Sequence, residues 1–206
     1  MTSPDAPARL TDRKRAAILE AAAAEFRQAG YEATSMDRIA ASAGVSKRTV
    51  YNHFPSKEVL FAQILQQLFE RSVASPELAY RADRPLRPQL LELVQQKLEL
   101  LHDEGFIDLV RVAVAAIIPA PERAQELFTR VGDKEEGLTV WIRDAAADGR
   151  LKTDDPKFAS MLLQGMIKGF AFWPQITLGQ PMLTNEQRNR VADTTTDMFL
   201  AHFASA

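Results

Sequence analysis

Residues 34–57 read TSMDRIAASAGVSKRTVYNHFPSK. The stretch predicts two short helices joined by a tight turn. Thr34 or Ser35 can cap the first, and Asp37 stands three residues after Thr34, the spacing of a capping box. Met36, Ile39, Ala40 and Ala43 point to one face. Gly44 ends the helix, because glycine takes the left-handed conformation there without steric cost. Val45 is an apolar anchor, and Ser46 caps a second helix from Lys47 to about His53. Together they make a helix-turn-helix. On the second helix Val50 and Phe54 turn inward, while Lys47, Arg48, Tyr51 and Asn52 share the opposite face. That face is cationic, aromatic and amide-bearing, with no carboxylate. It suits a major groove, where Arg or Lys reaches guanine, Asn pairs with adenine, and any of them can take a phosphate.

The order Thr-Ser-Met-x-x-Ile-Ala-x-x-Ala-Gly-Val-Ser-x-x-Thr-Val-Tyr-x-His-Phe-x-Ser-Lys resembles the DNA-binding half of TetR-type (tetracycline-repressor-like) transcriptional regulators. The likeness reaches back through the first helix, over residues 11–57. Near the C-terminus, Phe172-Trp173-Pro174-Gln175 resembles the AefR-like subgroup. The resemblance implies an all-α fold: a three-helix helix-turn-helix domain over residues 1–57, then a helical effector-binding and dimerisation domain over residues 58–206. It implies DNA contacts from Lys47, Arg48, Thr49, Tyr51 and Asn52 on the recognition helix. Thr34, Ser35, Ser46, Tyr51, His53 and Lys57 would serve the phosphate backbone. His53 suits a phosphate contact or a packing role equally well.

Composition fits this picture. The 206 residues suffice for one or two domains with a sizeable core. Hydrophobic residues make up 46% and charged residues 25%, an ordinary globular balance. With no cysteine, disulfides and thiolate metal sites are excluded, and a cytoplasmic location is expected. No secretory signal or membrane-length apolar run is present. The net charge of −2 argues against a nucleic-acid binder until it is divided along the chain. Residues 1–57 hold 9 Lys+Arg and 6 Asp+Glu, so +3; the remainder of the 25 and 27 is 16 and 21, so −5. The positive charge lies with the motif, and the acidic remainder would repel DNA and help orient it.

In chain order, residues 1–10 are expected to form a loose arm, in which Arg9 could touch a minor groove. Helix one is predicted over residues 11–29, with Ile18, Leu19, Ala22, Ala23 and Phe26 as its apolar stripe and Gly30 as its end. Its polar face carries Arg13, Lys14 and Arg15. Ser56 caps a fourth helix, residues 57–73, whose N-terminus can hold a phosphate beside Lys57. A break follows to Pro88. Further helices are expected over residues 88–103, ended by Gly105, and over residues 107–118, apolar on most sides and therefore central. A longer helical region is expected over residues 119–148. Asp155-Pro156 starts the next helix, and Pro174 disfavours its continuation. Thr184 with Gln187 forms a capping box that opens the last helix.

The final two helices predict a dimer interface. Phe158, Leu162, Gly165, Met166 and Gly169 lie on one, and Val191, Met198 and His202 on the other. Core packing within one chain is the alternative for each, and the resemblance favours the interface. A two-fold dimer would require a roughly palindromic site. A pocket for a small apolar or aromatic effector could be lined by Phe69, Leu98, Leu101, Val110, Val114, Trp141, Phe170 and Trp173, though ordinary core accounts for each of these as well. The resemblance implies that effector binding rotates the fourth helix and weakens the grip on DNA. Enzymatic chemistry finds no support. His53, His102 and His202 have no metal-ligand or catalytic spacing, and no nucleophile elbow or phosphate loop appears. No cofactor or metal is implied. The expected function is sequence-specific DNA binding as a ligand-responsive repressor. A transcriptional activator of the same fold, or a helical small-molecule carrier, would use the same features.

Overall fold

Helix α1 (Ala6–Ala33) opens a series of ten among the described residues, which are 6–73, 78–118, 125 and 137–205 of a computed structural model. The others are α2 (Met36–Ser42), α3 (Lys47–His53), α4 (Lys57–Val73), α5 (Leu86–Leu100), α6 (Glu104–Ile117), α7 (Gly137–Ala147), α8 (Pro156–Ala171), α9 (Trp173–Leu178) and α10 (Asn185–Phe203). The only extended pairing among the described residues is one antiparallel bridge, Leu151 with Ala204. No helix is long and apolar enough to cross a membrane among the described residues.

The helices gather into two compact units. One holds the chain up to Phe69 and a stretch beginning at Asp108; the other holds Glu70–Ile107 and the described residues from 137 onward. A division at residue 57 therefore cuts through the first unit, because α4 packs with the N-terminal helices as far as Phe69.

In the first unit, Ile18, Ala22 and Phe26 recur every fourth residue along α1 and are fully buried, the spacing of one helical face. Ile39 from α2, Val50 from α3, Phe54, and Leu60 and Ile64 from α4 complete the core. The Phe61 ring packs edge-on to Phe26 at 5.3 Å and lies 4.5 Å from Tyr31. Gly30, at φ 79° and ψ 168°, interrupts α1 where the sequence predicts its end. Helical structure starts at Ala6, so residues 6–10 are not a loose arm; residues 1–5 and the Arg9 side chain lie outside the described residues.

In the second unit, α5 and α8 pack against α10, and α7 packs against α8. Leu90, Val94 and Leu98 of α5 join Trp141, Ile142 and Ala145 of α7, Leu163 and Ile167 of α8, and Phe199 of α10 in the core. The end of α10 is tied down by Lys152 N–H donating to the Phe203 carbonyl at 2.6 Å and Ser205 N–H donating to the Arg150 carbonyl at 2.9 Å.

Four expectations change. Helix α5 starts at Leu86, two residues before Pro88. Gly105 does not break a helix: Asp103 accepts from Phe106 N–H at 2.6 Å, caps α6, and leaves Gly105 in its first turn. Helix α6 is only partly enclosed, with Val110 and Val114 half-buried and Ile118 72% exposed. Pro174 does not act by stopping α8. That helix bends at Phe172, and Pro174 falls in the first turn of α9, where its missing N–H would have no helical partner anyway. The helical region expected over residues 119–136 lies outside the described residues except for residue 125.

At Gly44, φ is +65°, and a Cβ there would meet no atom within 4 Å. Gly44→Ala is therefore expected to cost about 1 kcal/mol from backbone conformation alone. It should appear in urea unfolding as a lower midpoint with an unchanged slope.

Candidate nucleic-acid interface

The turn between α2 and α3 is built by the backbone. Val45 N–H donates to the Ala40 carbonyl at 3.0 Å and Gly44 N–H to Ala41 at 3.2 Å, which satisfies carbonyls that a helix end leaves open. Ser46 caps α3: its Oγ accepts from Thr49 N–H at 3.1 Å and lies 2.8 Å from Thr49 Oγ1. Val50 and Phe54 turn into the core. This orients the rest of α3 outward. Lys47, Arg48, Tyr51 and Asn52 are all exposed, Tyr51 at 43%. Thr49 and His53 are half-buried.

The two cations that open α3 differ. Arg48 has no ion-pair or hydrogen-bond partner among the described residues. Lys47 Nζ stands 2.8 Å from Asp37 Oδ1 and 3.0 Å from Oδ2. The Asp37 hydrogen bond and charge push the Lys47 ammonium pKa above its ordinary value. The surface expected to face the groove thus does carry a carboxylate. It comes from α2, ten residues earlier, and no spacing rule within one helix would reveal it.

Other expected backbone contacts are differently placed. Thr34 is not at the surface: it is 2% exposed, and its hydroxyl donates to the Gly30 carbonyl at 2.8 Å and reaches the Glu25 carbonyl at 3.2 Å. Ser35 is the cap of α2, accepting from Arg38 N–H at 3.3 Å. Lys57 Nζ donates to the Tyr31 carbonyl at 2.9 Å and the Glu32 carbonyl at 3.3 Å, over the Tyr31 ring at 4.4 Å. It ties α4 to the end of α1. Arg15 packs over Phe54 at 5.0 Å and donates to Gln63 at 2.9 Å. Arg38 pairs with Glu25 at 2.8 Å.

The expected pocket residues do not form one class. Leu98, Leu101 and Trp141 are buried in the second unit; Phe69, Val110 and Val114 are half-buried. Phe170 and Trp173 are 59% and 49% exposed, so they do not wall an interior cavity within one chain. Phe170 joins Phe158, Met161 and Leu162 as exposed residues of α8, the latter three at 55%, 62% and 44%, and Trp173 stands just beyond, at the start of α9. Gly165 and Gly169 are exposed on this helix, with open space where a Cβ would stand. Met166 is half-buried. On α10, Met198 and His202 are exposed and Val191 is half-buried. Trp141 packs edge-on to Tyr80 at 5.9 Å, and its buried Nε1–H has no acceptor among the described residues. Among the described residues no acidic, histidine or cysteine cluster could hold a metal ion.

Two family models match the chain. Residues 18–64 match the model of bacterial regulatory proteins of the tetR family, and residues 88–205 match the C-terminal domain of AefR-like transcriptional repressors. The chain is 49% identical to a TetR family transcriptional regulator from Pseudomonas syringae pv. tomato str. DC3000, with a TM-score of 0.83 over 95% of this chain and 99% of that one. It is 30% identical to the flavonoid-responsive regulator FrrA, with a TM-score of 0.73 over 94% and 98%. It is 39% identical to the HTH-type transcriptional regulator AcrR of Shigella flexneri over 74% of each chain.

The burial of Thr34 separates a structural role from a phosphate contact. Thr34→Val should lower stability by about 1–3 kcal/mol, because two part-buried carbonyls lose the Thr34 hydroxyl as a donor. Its effect should be seen in thermal unfolding. The salt dependence of DNA binding, measured well below the melting temperature, should be unchanged.

Proposed function

The chain belongs to the TetR family of DNA-binding transcriptional regulators, and from that premise we propose that it is a ligand-responsive repressor that binds a two-fold-symmetric operator as a homodimer. The observation that carries the DNA-reading part is the outer face of α3, where Arg48 and Asn52 are exposed and without partners among the described residues. A free guanidinium suits guanine O6 and N7, and a free amide suits adenine N6 and N7. Tyr51, Ser46 and His53 flank them and suit phosphate oxygens. A repressing rather than activating role is favoured by the likeness of residues 88–205 to AefR-like repressors.

Dimerisation is supported by the exposed faces of α8, α9 and α10. Exposed Phe158, Met161, Leu162, Phe170, Trp173 and Met198 are more than the scattered apolar residues a monomer surface carries. The two exposed glycines would let a second helix approach closely. A self-complementary patch of this kind suits a two-fold dimer, which presents two copies of α3 to a palindromic site.

Effector sensing is supported by Trp141. Its buried indole N–H, without an acceptor among the described residues, leaves an unmet hydrogen bond in an apolar setting. A flat effector bearing an acceptor would meet it, and the likeness to a regulator described as flavonoid-responsive agrees with that chemistry. Such an effector must bind the DNA-incompetent conformation more tightly than the competent one.

Two measurements test this. In fluorescence-anisotropy titration, DNA from upstream of the protein's own gene should bind more tightly than a shuffled duplex. Arg48→Ala should cost about 1–3 kcal/mol on the former and narrow the difference between them. Equal binding of both duplexes by wild type and variant would argue against base reading. In light scattering at micromolar concentration the wild type should be a dimer, and Leu162→Glu combined with Phe170→Glu should yield folded monomer.

A further inference from the structure

Lys47 and Arg48 are adjacent cations at the start of the recognition helix, yet the fold treats them differently. Arg48 has no partner among the described residues, whereas the Lys47 ammonium is held between both oxygens of Asp37 at 2.8 and 3.0 Å. The pair is solvent-facing, with Lys47 60% and Asp37 63% exposed, so a core role does not account for it. Asp37 lies in the first turn of α2, where the helix N-terminus favours a carboxylate. Lys47 Nζ is also 6.0 Å from the Tyr51 ring centroid.

We propose that Asp37 limits the sequence-independent DNA affinity of this regulator by neutralising Lys47 on the groove-facing surface. The inference rests on the DNA-reading role proposed above. A phosphate drawn to Lys47 meets a carboxylate a few ångströms away, well inside the roughly 10 Å over which charges act at 0.1 M salt. Attraction and repulsion nearly cancel. The carboxylate remains at the face whether or not Lys47 swings away from it, so the cancellation does not require a rigid pair. Non-specific affinity comes almost wholly from such phosphate contacts and the counterions they release, about 0.9 in logarithmic salt slope for each. Arg48, with no such partner, keeps its charge for base reading. A protein of this arrangement spends less time bound at random sequence than one with the same cations on α3 and no carboxylate beside them.

On α3 itself, Lys47 is the cation that the described residues pair with a carboxylate. Lys57 and Arg15 are held by neutral carbonyl and amide groups and keep their charge. Arg38 is paired with Glu25, but it projects from α2 and is not one of the base-reading side chains of α3.

The test uses the full-length protein and a duplex of arbitrary sequence, titrated by anisotropy between 50 and 200 mM salt. Asp37→Asn should tighten binding by up to about eightfold per protomer at 0.1 M salt and steepen the salt slope by about 0.9 per protomer. Asp37→Glu should behave as wild type. Asp37→Asn with Lys47→Gln should return to the wild-type curve. Glu186→Gln makes the same change in net charge on α10 and should leave the curve unmoved. Asp37→Ser repeats the measurement should Asp37→Asn fail to fold. Equal affinity and slope for wild type and the Asp37 variants would overturn the proposal. So would a gain with Glu186→Gln matching that of Asp37→Asn, since net charge alone would then explain it. No binding by the wild type at the lowest salt would overturn the DNA-reading role, and this inference with it.

Discussion

The ring cluster of Phe26, Tyr31 and Phe61 is the contact on which the DNA-reading unit depends. Its centroid separations of 5.5, 5.3 and 4.5 Å join the end of α1 to the start of α4. Aromatic pairs at such distances and tilts are favourable beyond the apolar area they bury. Lys57 lies over the Tyr31 ring and donates to the two carbonyls beside it, and Tyr31 in turn reaches Glu58 at 3.4 Å. Thr34 fastens the chain to α1 immediately before α2 begins. The helix-turn-helix therefore leaves a frame made by α1 and α4, and the orientation of α3 is set by that frame. Loosening it would misdirect Arg48 and Asn52 without touching either.

The second unit shows the same division of labour on a larger scale. One face of α8 supplies Ala159, Leu163 and Ile167 to the interior, all fully buried. The other presents Phe158, Met161, Leu162 and Phe170 to solvent. Both faces are apolar, so the periodicity of α8 does not announce which one belongs to the core. The core face is chosen because α5, α7 and α10 already surround it. The outer face is left for something else, and its aromatic and methionine content, with two glycines at a four-residue interval, suits a flat partner helix.

Charge is apportioned less simply than composition suggests. Residues 1–57 have a formal excess of three positive charges. Glu25 takes Arg38 and Asp37 takes Lys47, so those guanidinium and ammonium groups face the solvent already neutralised. Lys57 and Arg15 serve as struts between helices. On α3, Arg48 and Asn52 have no hydrogen-bond or ion-pair partner among the described residues. Under the proposed base-reading role, a surface with few free charges would favour sequence over bulk attraction, because phosphate contacts carry affinity but no sequence information.

Local chemistry let the sequence alone determine much of this. The caps at Ser46, Ser56, Asp155 and Thr184, the turn at Gly44 and the core face of α3 all follow from interactions spanning a few residues, and the structure places them where the sequence predicts. Family-level chemistry was legible for the same reason, since the groove-facing residues are set by the period of one short helix. Tertiary structure decided what local periodicity leaves degenerate. It buried Thr34 and chose Ser35 as the cap, because the Glu25 carbonyl, nine residues back, joins the nearby Gly30 carbonyl as an acceptor for the Thr34 hydroxyl. It brought Asp37 to Lys47 across a turn, and turned Phe170 and Trp173 outward although they are as apolar as the core. In each case two residues or two faces of similar intrinsic preference compete, and the neighbour that settles the competition lies outside the reach of a helical period.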